Sequence, residues 1–142
     1  MNSTTAKIHP SAFKPRNANG TMFQGKMVDY AICLEYPRVE PMFGRIRSTL
    51  QLEPTNLQYI NHTSYEPVRF RPIAISIETK VTGNETEATT QLSVWAVAQF
   101  KRLQSIIRRS GKSSEMTVLP LIHVQGHRWF VTLAVQGVSK TV

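Results

Sequence analysis

Little cysteine and little acid set this 142-residue chain apart before any motif is sought. Its one cysteine, Cys33, excludes an internal disulfide and a cysteine-rich zinc site, and it suits a reducing compartment. Because Cys33 falls inside an apolar run, a buried structural thiol is the expectation there rather than a nucleophile. Acids number 9 against 17 Lys+Arg, a formal net charge of +8. That imbalance favours an anionic partner, nucleic acid before a membrane surface. Long apolar runs are also missing. Nothing approaches the length that spans a bilayer, and the first residues have no apolar stretch of signal-peptide length. The expectation is a soluble intracellular protein of nucleus or cytoplasm, with no membrane partner. On that reading the four N-x-[ST] sequons at Asn2, Asn19, Asn61 and Asn84 are unused. The length suits one ordinary domain whose core needs no staple.

What is present begins with a polar segment, residues 1–25, interrupted by Pro10 and Pro15 and lacking hydrophobic periodicity. It is expected to be a flexible tail, with a single domain over 26–136 and a short tail over 137–142. Residues 26–35 alternate as a strand, placing Val28, Tyr30, Ile32 and Leu34 on one face and Asp29, Ala31 and Cys33 on the other. Residues 71–80 alternate in the same way. There Ile73, Ile75 and Ile77 oppose Ala74, Ser76, Glu78 and Lys80, so the acid and the amine at the strand end point to one side. Such a pair can hold a divalent cation on the carboxylate and a water or phosphate oxygen beside the ammonium, or it can be a plain same-face ion pair. Asp29 is the only aspartate in the chain.

Between the strands Phe43, Ile46 and Leu50 recur at helical spacing and predict a short helix. Arg45, Arg47, Arg69 and Arg71 make this connection basic, and Tyr59 and Tyr65 are aromatics of the kind that stack on bases. A solvated loop with ordinary packing tyrosines is the favoured reading. A turn over 81–84 then leads into a long helix over 85–109, acidic at its start and basic at its end. Its predicted packing stripe is Ala88, Leu92, Trp95, Leu103 and Ile106. Ala98, Arg102 and Arg109 follow Gln91 along an edge that reads as solvated surface. Residues 116–135 read as a β-hairpin about Gln125-Gly126. His123 and His127 flank its turn without a third metal ligand in reach.

In order, the chain offers Asp29 on one strand, Glu78-Thr79-Lys80 on the next, and Gln91 with Trp95 one turn later on the following helix. The stretches MVDYAICLE, IAISIETK and QLSVWAVAQF resemble the PD-(D/E)XK nuclease superfamily, and in wording most of all its domain in filamentous fungal proteins. The resemblance spans roughly residues 26–135 and implies an α/β fold. Its restriction-endonuclease-type core would be a mixed sheet with a long helix after the E-x-K strand and a C-terminal hairpin. It implies a nuclease hydrolysing phosphodiester bonds, with Asp29, Glu78, Lys80 and Gln91 catalytic. Asp29, Glu78 and the Thr79 carbonyl would be the metal ligands. Oxygen ligation of this kind suits Mg²⁺ or Mn²⁺. Nucleic acid would be the substrate, DNA ahead of RNA. Three features depart from the pattern: Val28 stands where the name has Pro, the Asp-to-Glu connection is long, and no acid precedes Asp29. Relatives commonly carry such an acid, and fungal ones are usually longer. A shortened domain without useful catalysis, serving as an accessory binding module in a fungal pathway, is the second reading.

Overall fold

The computed structural model describes residues 2–3, 28–81, 85–112 and 117–136. Alternation becomes strand, and the strands form one mixed sheet. In chain order they are β1 (Asn2–Ser3), β2 (Tyr30–Cys33), β3 (Ile73–Lys80), β4 (Val118–Gln125) and β5 (Arg128–Val135), and their order in the sheet is the same. Neighbours are antiparallel except β3 and β4, which run parallel. A parallel pair needs a long crossover. Helix α2 (Glu85–Arg109) supplies it and packs back on β3 and β4. The α/β fold, the pairing of the two motif strands, the long helix and the hairpin are all as predicted. Most of the expected 1–25 tail, residues 26–27 of the first strand, residues 82–84 of the predicted turn, Met116 of the predicted hairpin, and the 137–142 tail lie outside the described residues.

α2 starts with Glu85 and Glu87 and ends with Arg108 and Arg109, charges that complement its macrodipole. Gly111 follows at φ 71°, the left-handed cap that a side chain would strain. The shorter helix α1 (Pro41–Gln51) begins on a proline, which is preset for the first turn, and buries Ile46 and Leu50 as their spacing predicts.

Three expectations about packing are corrected. The first strand is shorter than 26–35, and its core side is the small-residue side. Ala31 is buried and Cys33 half-buried against the α2 cluster, Val28 joins that cluster from just before the strand, and Ile32 and Leu34 are exposed. The bulk that fills the space comes from the helix, through Trp95. In β3 the three isoleucines do not share a face. A register shift pairs Ile32 with Ile75 but Cys33 with Ile73, which puts Ile73 in the α2-side cluster with Leu92, Trp95, Leu119 and Leu121. One extra residue re-phases the strand. Side chains satisfy the backbone groups at this irregularity: the Ile73 N–H donates to Asn61 Oδ1 at 2.9 Å, and Gln99 Nε2 donates to the Ile73 carbonyl at 2.8 Å.

Third, the packing stripe of α2 is more polar than predicted. Ala88, Leu92 and Trp95 are buried, but Gln99 and Arg102 complete the face, with Leu103 and Ile106 only half-buried. Ala98 and Arg102, read as a solvated edge, are buried outright. The connection between the motif strands is likewise no plain solvated loop. It buries Glu53, Asn61, His62, Thr63 and Val68. Asn61 Nδ2 donates to the carbonyls of Val68 at 2.7 Å and Arg71 at 2.8 Å, so this sequon asparagine pins the loop from inside. Tyr65 packs against the core, and the Arg69 guanidinium stacks on Tyr59, with its carbon 5.3 Å from the ring centre. As expected, neither tyrosine is left as a bare stacking platform.

Candidate functional site

β3 ends in the sequence Glu78-Thr79-Lys80, and each residue of it is held differently. Glu78 lies on the helix side of the sheet and is 1 % exposed. Its Oε1 meets Lys80 Nζ at 3.0 Å, while Oε2 is buried with no hydrogen-bond partner among the described residues. Burial pushes the Glu78 carboxyl above its ordinary range and the neighbouring Asp29 charge adds to this. Lys80 opposes both, yet the net direction is up. Lys80 also reaches Glu87 Oε1 on α2 at 3.9 Å. Burial by itself would lower its ammonium, but Glu78, Glu87 and Asp29 outweigh that, so the net direction is again up. Lys80 therefore stays a cation at neutral pH.

Asp29 immediately precedes β2, whose first residue pairs with Ile77, and this sets its carboxylate beside the end of β3. Asp29 Oδ2 accepts two hydrogen bonds from Thr79, from the backbone N–H at 2.8 Å and from Oγ1 at 2.6 Å. The sequence resemblance drew attention to the Thr79 carbonyl. What the structure adds is the other side of the residue, two donors that fix the aspartate.

Gln91 lies on the first half of α2, between Glu87 and Trp95 at four-residue intervals, so the three share one helix edge. Its Oε1 is buried without a hydrogen-bond partner among the described residues. Trp95 behind it is fully buried, with its ring centre 4.1 Å from that of His62 in an edge-to-face contact. The E-x-K carboxylate, the ammonium, the aspartate and the glutamine edge thus converge on one end of the sheet. Unpartnered buried oxygens on Glu78 and Gln91 are unusual, because buried polar atoms are normally satisfied by protein or by ordered water or ions. A pair of carboxylates beside a fixed ammonium can hold an oxygen-seeking cation and a phosphate together.

One neighbour was missed from sequence. His123 on β4 is the register partner of Glu78. It is 8 % exposed and stacks on Phe130, with centroids 5.7 Å apart and rings at 29°. Only the parallel pairing of β3 with β4 puts it there, and local spacing carries no signal of that. His127 sits exposed in the turn, away from it. Among the described residues there is no group of three or more His, Cys, Asp or Glu able to hold a metal. Also among them, no helix is long and apolar enough to cross a membrane.

Compared with models of protein families, residues 1–142 match that of the PD-(D/E)XK nuclease superfamily. No curated protein and no solved structure matches the chain.

Proposed function

We propose, for a chain that belongs to the PD-(D/E)XK nuclease superfamily, a metal-dependent hydrolysis of phosphodiester bonds in nucleic acid, DNA ahead of RNA. The observation that carries it is the meeting of Asp29, Glu78 and Lys80 at one sheet end, with buried oxygens of Glu78 and Gln91 left without partners. The oxygen donors of these residues are of the kind that bind a divalent cation. Asp29 and Glu78 would hold it, with the Thr79 carbonyl as a further oxygen donor, and Mg²⁺ or Mn²⁺ suits an all-oxygen set. When bound, the ion supplies positive charge to the phosphate and makes a coordinated water more acidic.

The chain's own residues do the rest. Thr79 holds the Asp29 carboxylate still through two hydrogen bonds. Lys80, kept protonated by its acidic neighbours, is suited to orient the attacking water and to offset charge on the phosphate. It is unsuited to remove a proton. Gln91 Oε1 can accept a hydrogen bond from that water or from Lys80. The net charge of +8 supports attraction to a polyanion. An intracellular location, nucleus or cytoplasm, follows from this reading.

The alternative is a nuclease-like module that binds nucleic acid or protein as an accessory factor without cutting. Among the described residues no three imidazoles, thiols or carboxylates gather to hold a metal, which supports it. Cleavage of mixed DNA and RNA substrates with Mg²⁺ or Mn²⁺ tests the choice. Wild type should cut, and Lys80→Ala should lose cutting while keeping metal-dependent thermal stabilisation. Asp29→Asn should lose both, since only the folded site binds the ion. Identical metal responses from wild type and Asp29→Asn, with no cutting by either, would leave the accessory module as the function.

A further inference from the structure

A cavity of about 230 Å³ opens between the first turns of α2 and the hairpin. Its floor is Leu92 and Leu121, and its walls carry His123, Phe130, Thr89, Ser93 and Thr132, with Glu85 also lining it. His123 is the strongest feature. Its Nε2 is buried and has no hydrogen-bond partner, in a side chain more than nine-tenths buried. That nitrogen requires a partner that the described protein does not provide. His123 is also the register neighbour of Glu78, so about one strand spacing, roughly 4.8 Å, separates its backbone from that of Glu78 in the candidate site.

We propose that this cavity takes a single unpaired nucleobase of the substrate strand, the one attached to the phosphate held at Glu78 and Lys80. The inference rests on the nuclease reading for that phosphate, and the cavity supplies the specificity. Its chemistry selects a flat, neutral, amphipathic ring. Phe130 stacks on His123 yet stays 42 % exposed, which leaves aromatic surface for a further ring. The hydroxyl of Ser93 donates to the Thr89 carbonyl at 2.7 Å, so its remaining capacity is as an acceptor for an exocyclic amine. Among the described residues no lysine or arginine lines the cavity and a glutamate does, which disfavours an anion. The volume is below the roughly 300–1,000 Å³ of drug-sized sites, as suits one ring system. A base still paired in a duplex could not enter, so single-stranded or locally opened substrate is required.

The test uses the full chain and a short labelled single-stranded DNA, compared by fluorescence anisotropy with the same strand carrying abasic sites. Both probes keep the phosphates, so only the bases differ. Wild type should bind the intact strand on the order of tenfold more tightly, the effect of one stacked and hydrogen-bonded base. His123→Phe preserves bulk and stacking but removes the nitrogen, and Phe130→Ala removes the stacking surface on an exposed strand. Each should cut the preference severalfold while leaving abasic binding unchanged. Equal binding of both strands by wild type, or an undiminished preference in both variants, overturns the proposal even where cutting is observed. A His123-dependent preference in a protein that cuts nothing upholds the base pocket and refutes the nuclease reading alone.

Discussion

Two acid–base clusters are built along α2, and they are finished to different degrees. Toward its C-terminal half, Arg102 and Glu53 are buried side chains, each 1 % exposed, with Arg102 Nη1 3.6 Å from Glu53 Oε2. The remaining donors of Arg102 are used on backbone: Nη2 reaches the Tyr59 carbonyl at 2.6 Å and that of Leu57 at 3.0 Å, and Nε reaches Tyr59 at 3.0 Å. Arg109 Nη1 meets the same Glu53 oxygen at 3.1 Å. Toward the N-terminal half, Glu78 and Lys80 pair at 3.0 Å, but Glu78 Oε2 and Gln91 Oε1 are left over. Charge and burial alone do not separate the two clusters. What the leftover atoms face does: Glu53 Oε2 and Arg102 Nη1 also lack hydrogen-bond partners among the described residues, but they face each other as opposite charges and tie a loop to the helix, whereas Glu78 Oε2 and Gln91 Oε1 are both acceptors and retain capacity for something outside the protein.

The largest effect should come from breaking the finished cluster. Arg102→Met removes the charge opposite buried Glu53 and strands two loop carbonyls. It should cost about 3–5 kcal/mol in urea unfolding, with cutting per folded molecule unchanged. A loss under about 1 kcal/mol would mean that Arg102 is no more structural than Lys80. His62 sharpens the contrast from a second direction, as a titratable group with no hydrogen-bond partner among the described residues and an edge-to-face contact with the Trp95 ring. Burial lowers its pKa from 6.5 to about 3. The unfolded chain therefore takes up a proton below 6.5 that the fold refuses, and stability falls as pH drops from 6.5 toward 3. The loss is on the order of 5 kcal/mol at the acid end. His62→Phe should keep the edge-to-face packing on Trp95 and flatten that slope, which pH-dependent thermal melts will show.

The difference between the clusters also marks what could be read from the sequence. Asp29, Glu78, Lys80 and Gln91 announce themselves because strand alternation and helix spacing are local rules, and the same rules place α1, α2 and the hairpin. Glu53 and Arg102 do not. They are 49 residues apart in sequence, and nothing local makes an arginine on a helix edge a core residue. His123 is hidden for the same reason, since its place beside Glu78 depends on which strand α2 returns to. The bulge that turns Ile73 toward α2 is invisible to any pattern of period two. It requires Asn61 and Gln99 to take up the backbone groups of that residue.

A smaller effect, and one of opposite sign, should follow at the unfinished cluster. Glu78 has a carboxyl raised above 4.5, so without metal the fold holds its proton better than the unfolded chain does. Its contribution is fully present below 4.5 and is lost as pH rises through the raised folded value. Glu78→Gln should therefore be neutral or stabilising, by up to about 1–3 kcal/mol, the cost of one unsatisfied buried group. The advantage should widen with pH and vanish when Mn²⁺ is added to wild type. A destabilised Glu78→Gln at neutral pH would make Glu78 and Lys80 a structural pair like Glu53 and Arg102.

The smallest change addresses how far the site is already set before any cation arrives. Thr79 Oγ1 donates to Asp29 Oδ2 at 2.6 Å at an exposed position, and the Thr79 N–H donates to the same oxygen at 2.8 Å. Thr79→Val removes the first bond, keeps the second and retains the β-branched shape that suits a strand. Because solvent can replace a hydroxyl at an exposed site, stability should fall by no more than about 1 kcal/mol. The carboxylate, however, would lose one of the two bonds that aim it, and the entropy of fixing it would then be drawn from metal binding. Metal-induced thermal stabilisation should consequently need severalfold more Mn²⁺ to reach its midpoint, even though no proposed ligand atom has been altered. An unchanged midpoint would show that the backbone N–H alone orients Asp29. A loss of stability well above 1 kcal/mol would instead make the Asp29–Thr79 contact a structural clasp between β2 and β3.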